Sequence, residues 1–185
     1  MEPAPFAALI KACRFAAHKH RDQRRKSVAA TPYVNHPIEV AETLAQVAGV
    51  ADLEVLQAAL LHDTLEDTET EAAELEAEFG PRVRRLVEEV SDDKALPKQE
   101  RKRLEVEHAP HLSPGARLIK LADKTCNVRD LGSAPPAGWS TERLREYVAW
   151  ARRVVAGCRG LAPALEQCFD QVAEQVLASL PGDAI

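Results

Sequence analysis

The chain has 185 residues, of which 45% are hydrophobic and 29% are charged, and its formal net charge is −5. These proportions exclude an intrinsically disordered chain, and the negative net charge argues against a nucleic-acid binder held by overall electrostatics. No apolar run is long enough to cross a membrane, and the start "MEPAPFAALIKACRF" lacks the basic region and full apolar core of a secretory signal.

The four cysteines lie far apart in the chain and form no CxxC pair. This spacing argues against a zinc ribbon or a disulfide framework and indicates reduced thiols. The sequence therefore predicts a cytoplasmic protein without a membrane partner, and its length predicts one domain over residues 1–185.

Hydrophobic residues recur at helical spacing almost throughout, and no segment alternates as a strand does. The first four predicted helices span about residues 5–24, 37–49, 52–67 and 71–79. The remaining predicted helices span 81–93, begin at 97, and span 114–131, 141–160 and 163–180. Prolines open several of these segments and glycines close others, as expected at helix ends. The predicted fold class is all-α.

The stretch "LLHDTLEDT", residues 60–68, places polar side chains on a helix that otherwise resembles core. At helical spacing, His62, Asp63, Glu66 and Asp67 continue the apolar stripe of this helix. Buried carboxylates are costly unless they are paired or bind a metal. The alternatives are a His-Asp pair facing solvent at a helix end, and an exposed acidic pair after it.

Two further residues are candidates for the same site. His36 lies at a helix start in "PYVNHPIEV", and Asp123 lies in "RLIKLADKTCNVRDL" on the stripe that carries Ala116, Ile119 and Asn127. Alone, His36 could cap a helix and Asp123 could pair with a cation. Two imidazoles and two carboxylates together suit manganese, iron or zinc, so the ordered set favours a metal site.

The order His36, His62-Asp63, Asp123 resembles the HD-domain phosphohydrolases. The strings "HRDQRRK…TPYVNHPIEVA", "LQAALLHDTLEDT", "FGPRVRRLVEEVSDDK", "LIKLADKTCNVRDL" and "REYVAWARRVV" resemble the hydrolase domain of RelA/SpoT enzymes. They are most similar to its stand-alone form, the metazoan SpoT homolog and the bacterial small alarmone hydrolases, over about residues 5–160.

The resemblance implies a helical HD-type domain and a manganese-dependent hydrolase of guanosine tetra- or pentaphosphate that releases pyrophosphate from the 3′ position. In that family the H/HD/D residues bind one Mn²⁺ ion, which here implies His36, His62, Asp63 and Asp123. Zn²⁺ or Fe²⁺ remain open on donor chemistry. Glu66 and Asp67 are implied as the acidic pair that orients or deprotonates the attacking water.

The resemblance also implies contacts with the substrate. Arg25 and Lys26 would lie in the loop that contacts the nucleotide, Lys98 would approach the phosphates, and Asn127 would lie near the nucleoside. Tyr147 is expected in the pocket, with a core position as the alternative. The other basic residues are interpreted as solvated or salt-bridged: Arg24, Arg101, Lys102, Arg103 and Arg129.

Two departures from the family pattern concern specificity. The loop "KSVAATPY" lacks a glycine often found there, and Thr125 and Cys126 replace bulkier apolar residues.

The alternative functions are a 2′-phosphatase acting on NADPH at the same site, a non-catalytic nucleotide-binding scaffold, and nucleic-acid binding by "HKHRDQRRK". A small nucleotide is the expected partner, without nucleic acid or membrane. Oligomeric state is left open.

Overall fold

The computed structural model describes residues 4–181. Within that range the regular structure is helical, apart from two isolated β-bridges that join Arg24 to Pro32 and Ser27 to Pro136. The all-α prediction is therefore confirmed for the described residues. The ends of the predicted domain, residues 1–3 and 182–185, lie outside this range.

The helices follow one another closely along the chain. The first five are α1 (Pro5–Lys19), α2 (Asn35–Gln46), α3 (Leu53–Leu61), α4 (Thr64–Asp67) and α5 (Ala72–Phe79). The others are α6 (Pro81–Val90), α7 (Lys98–His108), a 3₁₀ turn (Ala109–His111), α8 (Pro114–Ser133), α9 (Thr141–Cys158) and α10 (Pro163–Ser179).

Two polar side chains cap the starts of helices. The Asp52 carboxylate accepts hydrogen bonds from the backbone N–H groups of Glu54 and Val55, and so caps the start of α3. The Ser140 hydroxyl accepts from the backbone N–H of Arg143 and caps α9 in the same way.

Four predicted helices were wrong in extent. Those over 37–49 and 81–93 each end three residues earlier, at Gln46 and Val90. The first predicted helix ends at Lys19 rather than Arg24, because the chain turns there and Arg24 pairs with Pro32. The predicted helix over 52–67 is in fact two helices, α3 and α4.

The break between α3 and α4 has a local cause. The His62 ring Nδ1 donates to the carbonyl of Ala59 (2.8 Å), and the Thr64 hydroxyl donates to the carbonyl of Leu61 (2.6 Å). These side chains occupy carbonyls that would otherwise continue the helical ladder. The break turns the chain at the point where the polar motif begins.

Helix α8 lies at the centre of the fold and packs against α2, α3, α6, α9 and α10. Its apolar residues Ile119, Leu121 and Ala122 are fully buried in the common core. The stripe that carries Asp123 is therefore enclosed by the helices that carry the histidines of the motif. No helix between residues 4 and 181 is long and apolar enough to cross a bilayer.

Candidate metal centre

Three ligand-type side chains from separate helices meet in the core. His36 comes from α2, His62 follows α3, and Asp123 comes from α8; their ligand atoms lie within 4.8 Å of one another. The Asp123 Oδ1 is 3.0 Å from Nε2 of His36 and 3.7 Å from Nε2 of His62. All three residues are buried, so the solvent-facing alternative for His62 is wrong. His36 lies inside α2, whose start has no side-chain cap, so the capping alternative for His36 is wrong as well.

Asp63 lies beside this cluster. Its Oδ2 is 3.0 Å from Nε2 of His62 and 3.9 Å from Nε2 of His36. The hydroxyl of Tyr33 donates a hydrogen bond to the same oxygen at 2.5 Å. The structure thus brings together all four residues that the sequence indicated as ligands.

The donor set fits a divalent transition metal. His62 donates through Nδ1 to the carbonyl of Ala59, which leaves the Nε2 lone pair directed at the cluster. This Nε2 is buried, and although Oδ2 of Asp63 lies 3.0 Å away, no acceptor among the described residues is aligned with it for a hydrogen bond. A buried polar atom without a partner is rare, and a metal ion held with Asp63 and Asp123 would satisfy it.

The electrostatics of the cluster favour a bound cation. Burial alone would raise the pKa of Asp63, but His62 and His36 hold that pKa well below its ordinary value. Burial would likewise lower the pKa of His62, but Asp63 and Asp123 raise it to about 10. In the metal-free protein the two carboxylates therefore favour a proton on His62, and a bound divalent ion would replace that proton at Nε2.

The acidic pair of α4 lies at the edge of the cluster, and both side chains are half-buried. The Glu66 Oε2 accepts from the backbone N–H of Asp92 (3.2 Å), and its Oε1 faces Nη1 of Arg101 (3.4 Å). The Asp67 Oδ2 accepts from Nε2 of Gln23 (3.0 Å). The second Asp67 oxygen pairs with Lys94, so neither carboxylate is simply solvated.

Burial, Asp92 and Asp63 raise the pKa of Glu66 to about 7. A carboxyl group with this pKa exchanges a proton readily near neutral pH, which suits a general acid or base. The position beside the metal cluster makes Glu66 the natural candidate for that role.

Three adjoining cavities surround these residues, with volumes of about 590, 310 and 520 Å³. The cavity of about 310 Å³ contains the four ligand residues and the acidic pair. Lys26 and Tyr147 line all three cavities and so connect them. Carboxylates line the cavity of about 310 Å³, and basic residues such as Arg25, Lys26 and Lys98 line the two neighbouring cavities. This distribution of charge suits a metal ion bound to a polyanion.

Arg25 and Asn127 line the cavity of about 590 Å³ and contact each other. The Arg25 guanidinium donates to Oδ1 of Asn127 (3.2 Å) and to Oδ2 of Asp130 (2.5 Å). The Asn127 amide donates to Oδ1 of Asp123 (2.6 Å). Asn127 therefore joins the candidate metal centre to the wall predicted to contact the nucleotide.

Lys98 is the one predicted site residue that lines neither the cavity of about 590 Å³ nor that of about 310 Å³. It lines the cavity of about 520 Å³ with Lys26, Lys102 and Arg143, and it does not line the cavity of the ligand residues. Tyr147 is half-buried and packs against Trp139 and Trp150, so it combines a cavity position with the packing role weighed above.

The sequence did not indicate three residues that the structure places at the site. Tyr33 holds Asp63, Lys124 holds Asp123, and Arg101 faces Glu66. The partners of Tyr33 and Arg101 lie 30 and 35 residues away, beyond the reach of any local pattern. The adjacency of Lys124 to Asp123 was visible, but its burial was not.

The two departures from the family pattern have clear structural settings. In the loop without glycine, Ala30 adopts φ 44°, a left-handed conformation that favours glycine. Thr125 and Cys126 are buried, where the Thr125 hydroxyl donates to the carbonyl of Leu121 and the Cys126 sulfur contacts the Thr43 hydroxyl.

Comparisons with known proteins show which family this chain belongs to. The family described as the HD domain matches residues 12–153. Guanosine-3′,5′-bis(diphosphate) 3′-pyrophosphohydrolase MESH1 of Mus musculus is 59% identical over 91% of this chain and 94% of its own length. Its Drosophila melanogaster namesake is 49% identical over 95% of this chain and 98% of its own length. The solved structure of a metazoan ortholog of SpoT that hydrolyzes ppGpp has a TM-score of 0.90 and 47% identity, covering 98% of this chain and 99% of its own.

Proposed function

Because the chain belongs to the HD-domain family, we propose that it is a metal-dependent 3′-pyrophosphohydrolase of guanosine tetra- and pentaphosphate. The products would be pyrophosphate together with GDP or GTP. The observation that carries this proposal is the convergence of His36, His62 and Asp123, with Asp63 beside them, in a chain 59% identical to a relative named for this activity.

The four residues of the cluster would hold one divalent ion, and we propose Mn²⁺ as that ion. The buried nitrogen of His62 and the two carboxylates supply suitable donors, and the same donors also suit iron and zinc. A divalent ion at this centre lowers the pKa of water and so makes a nucleophile available near neutral pH.

Glu66 and Asp67 would handle the proton of the attacking water. The pKa of Glu66, about 7, lets its carboxylate accept a proton and release it again near neutral pH. Asp67 is fixed by Gln23 and Lys94, so it would orient the water rather than move. Bond formation to the phosphorus nearest the ribose and departure of the 3′ oxygen would then release pyrophosphate.

The basic walls would bind the remaining phosphates and the nucleoside. Arg25 and Asn127 share one wall, and Lys26 and Tyr147 lie where the cavities join. Lys98 lines the cavity of about 520 Å³, which does not contain the metal ligands, so it would contact the diphosphate that does not react. Arginine binds phosphate through two parallel N–H groups and lysine as a point charge, so both suit this ligand.

The direct test is hydrolysis of ppGpp by the purified, Mn²⁺-loaded protein, with GDP and pyrophosphate as measured products. The matched control is Asp63→Ala, which removes one proposed ligand and should abolish turnover. Absence of turnover in the wild type, or equal turnover in the variant, would remove the proposal. Parallel loading with Zn²⁺ and Fe²⁺ would decide the metal.

NADPH is the competing substrate in the same assay. The relatives named above are named for guanosine 3′,5′-bis(diphosphate) and ppGpp. We therefore expect a higher kcat/KM for ppGpp than for NADPH. A non-catalytic scaffold would turn over neither substrate, with or without metal.

A further inference from the structure

A buried row of charged side chains lies behind the candidate metal centre. The Glu105 Oε1 accepts hydrogen bonds from Nζ of Lys120 (2.8 Å) and from Nζ of Lys124 (2.6 Å). All three side chains are buried, at 9% exposure or less. Buried ion networks are costly to build and contribute little net stability, so their presence calls for a second role.

Lys124 connects this row to the metal centre. Its Nζ also donates to Oδ2 of Asp123 at 2.9 Å, whereas Oδ1 of Asp123 faces His36 and His62. The two oxygens of Asp123 thus have different tasks. One is fixed by the ammonium group, and the other is directed at the metal ligands.

We propose that Lys124, held by Glu105, is a positioning residue that fixes the Asp123 carboxylate for metal binding. This inference rests on the proposed metal centre. If the Asp123 carboxylate could rotate freely, the site would bind the metal ion more weakly, because binding would have to fix the orientation of the carboxylate. Lys124 holds Oδ2 and, together with the Asn127 amide that donates to Oδ1, removes that freedom before the ion arrives.

Glu105 has a specific part in this arrangement. An ammonium group beside a divalent ion would repel it, and would also draw negative charge away from Asp123. The Glu105 carboxylate gives Lys124 a second anionic partner at 2.6 Å, so the charge of Asp123 remains available to the ion. The ring of Trp150 covers the same ammonium at 4.7 Å and excludes water from it.

The row also attaches α7 to the centre of the fold. Glu105 is the one buried residue of this helix, so its contacts with Lys120 and Lys124 anchor α7 on α8. The same helix carries Arg101, which faces Glu66. One network therefore sets the position of a metal ligand and of the helix that borders the acidic pair.

The test compares Mn²⁺ affinity in two matched variants, Lys124→Met and Lys120→Met. Each removes one buried ammonium group and leaves Glu105 with one lysine partner, but only Lys124 contacts Asp123. Affinity is measured on metal-free protein by competition with a fluorescent chelator. The rise in Tm on adding Mn²⁺ is a second measure of binding. It compares each variant with its own metal-free form, so a change in the variant's basal stability does not affect the comparison.

We expect Lys124→Met to lower Mn²⁺ affinity by about 10- to 100-fold, the usual effect of losing a partner of a metal ligand. Lys120→Met should retain the wild-type affinity. Equal affinities in the two variants, whether both unchanged or both reduced, would overturn the inference and leave only a structural network. A wild type that binds no Mn²⁺ would overturn the metal centre and this inference with it.

If Lys124→Met does not fold, the double variants Lys124→Met/Glu105→Gln and Lys120→Met/Glu105→Gln replace the pair. Each removes one cation and one anion, and the amide oxygen still accepts from the remaining lysine. Both double variants lack the Glu105 carboxylate, so they are compared with each other: the one without Lys124 should bind Mn²⁺ about 10- to 100-fold more weakly than the one that keeps it. Equal affinities in the two double variants would overturn the inference. Hydrolysis of ppGpp is not read in this experiment, so a failure of the proposed activity would leave its result intact.

Discussion

Gly157 lies where α9 passes close to the 3₁₀ turn that follows α7. A Cβ atom at this position would lie 2.8 Å from Cβ of Ala109, 2.8 Å from Cδ of Pro110 and 2.9 Å from the backbone N of Pro110. Carbon atoms pack best at about 3.5–4.0 Å, so Gly157→Ala would push the turn away by roughly 1 Å. These atoms are a Cβ, a proline ring carbon and a backbone nitrogen, and no side-chain rotation can move them aside.

All three contacts are shorter than 3.0 Å, so the overpacking cost lies in the upper part of its usual range, at about 2–3 kcal/mol, and the better helix propensity of alanine returns about 1 kcal/mol at most. We therefore expect Gly157→Ala to lower the free energy of unfolding by about 1–2 kcal/mol, and to lower Tm by about 2–8 °C. Denaturant and thermal unfolding would measure both quantities.

The control is Gly115→Ala on α8. There the nearest atoms are methyl groups of Leu86 (2.9 Å) and Val55 (3.1 Å), which belong to side chains that can adjust. The control should lose less stability than Gly157→Ala. A Gly157→Ala protein as stable as the wild type, or as the control, would refute the close packing of this turn against α9.

Three further predictions concern the site and its surroundings. Tyr33→Phe removes the hydrogen bond to Asp63, worth about 1.5–3 kcal/mol for a charged acceptor, and should lower kcat/KM for ppGpp by about 10- to 100-fold. Unchanged kinetics would show that Tyr33 does not support Asp63. Burial alone would raise the pKa of Glu105, but Lys124 and Lys120 hold it below 4.5. The ionised Glu105 carboxylate therefore contributes fully to stability above pH 4.5, and this contribution is lost as the pH falls through the lowered pKa. Glu105→Gln should consequently lose less stability on acidification than the wild type, as measured by unfolding at a series of pH values. Removal of metal by a chelator should lower Tm, and Mn²⁺ at 100 times Kd should restore about 2.7 kcal/mol in thermal unfolding; equal Tm values would argue against a bound ion.

Much of the metal centre could be predicted from the sequence because its ligands lie on helices with clear periodicity. Asp123 shares a stripe with buried Ile119, so its direction toward the core followed from helical geometry. The predicted ligand set did not depend on the exact helix ends. The four residues meet even though the predicted helix over 52–67 breaks after Leu61 and Asp63 lies between α3 and α4.

The supporting contacts could not be predicted because each joins distant parts of the chain. Tyr33 lies in an irregular loop, where side-chain direction has no period, and its hydroxyl reaches Asp63 across 30 residues. Glu105 and Lys124 occur in helices rich in charge, and nothing in the local pattern separates these buried residues from their exposed neighbours. Their burial follows from how α7 packs against its neighbours.

The central claim is that four converging side chains bind one divalent ion while Glu66 acts on the attacking water. Its most direct test is to measure metal content and ppGpp turnover together in Asp123→Ala and Glu66→Gln. Asp123→Ala should lose both the ion and the activity, whereas Glu66→Gln should retain one ion per chain and lose turnover. An Asp123→Ala protein that keeps its ion, or a Glu66→Gln protein with wild-type turnover, would contradict the claim.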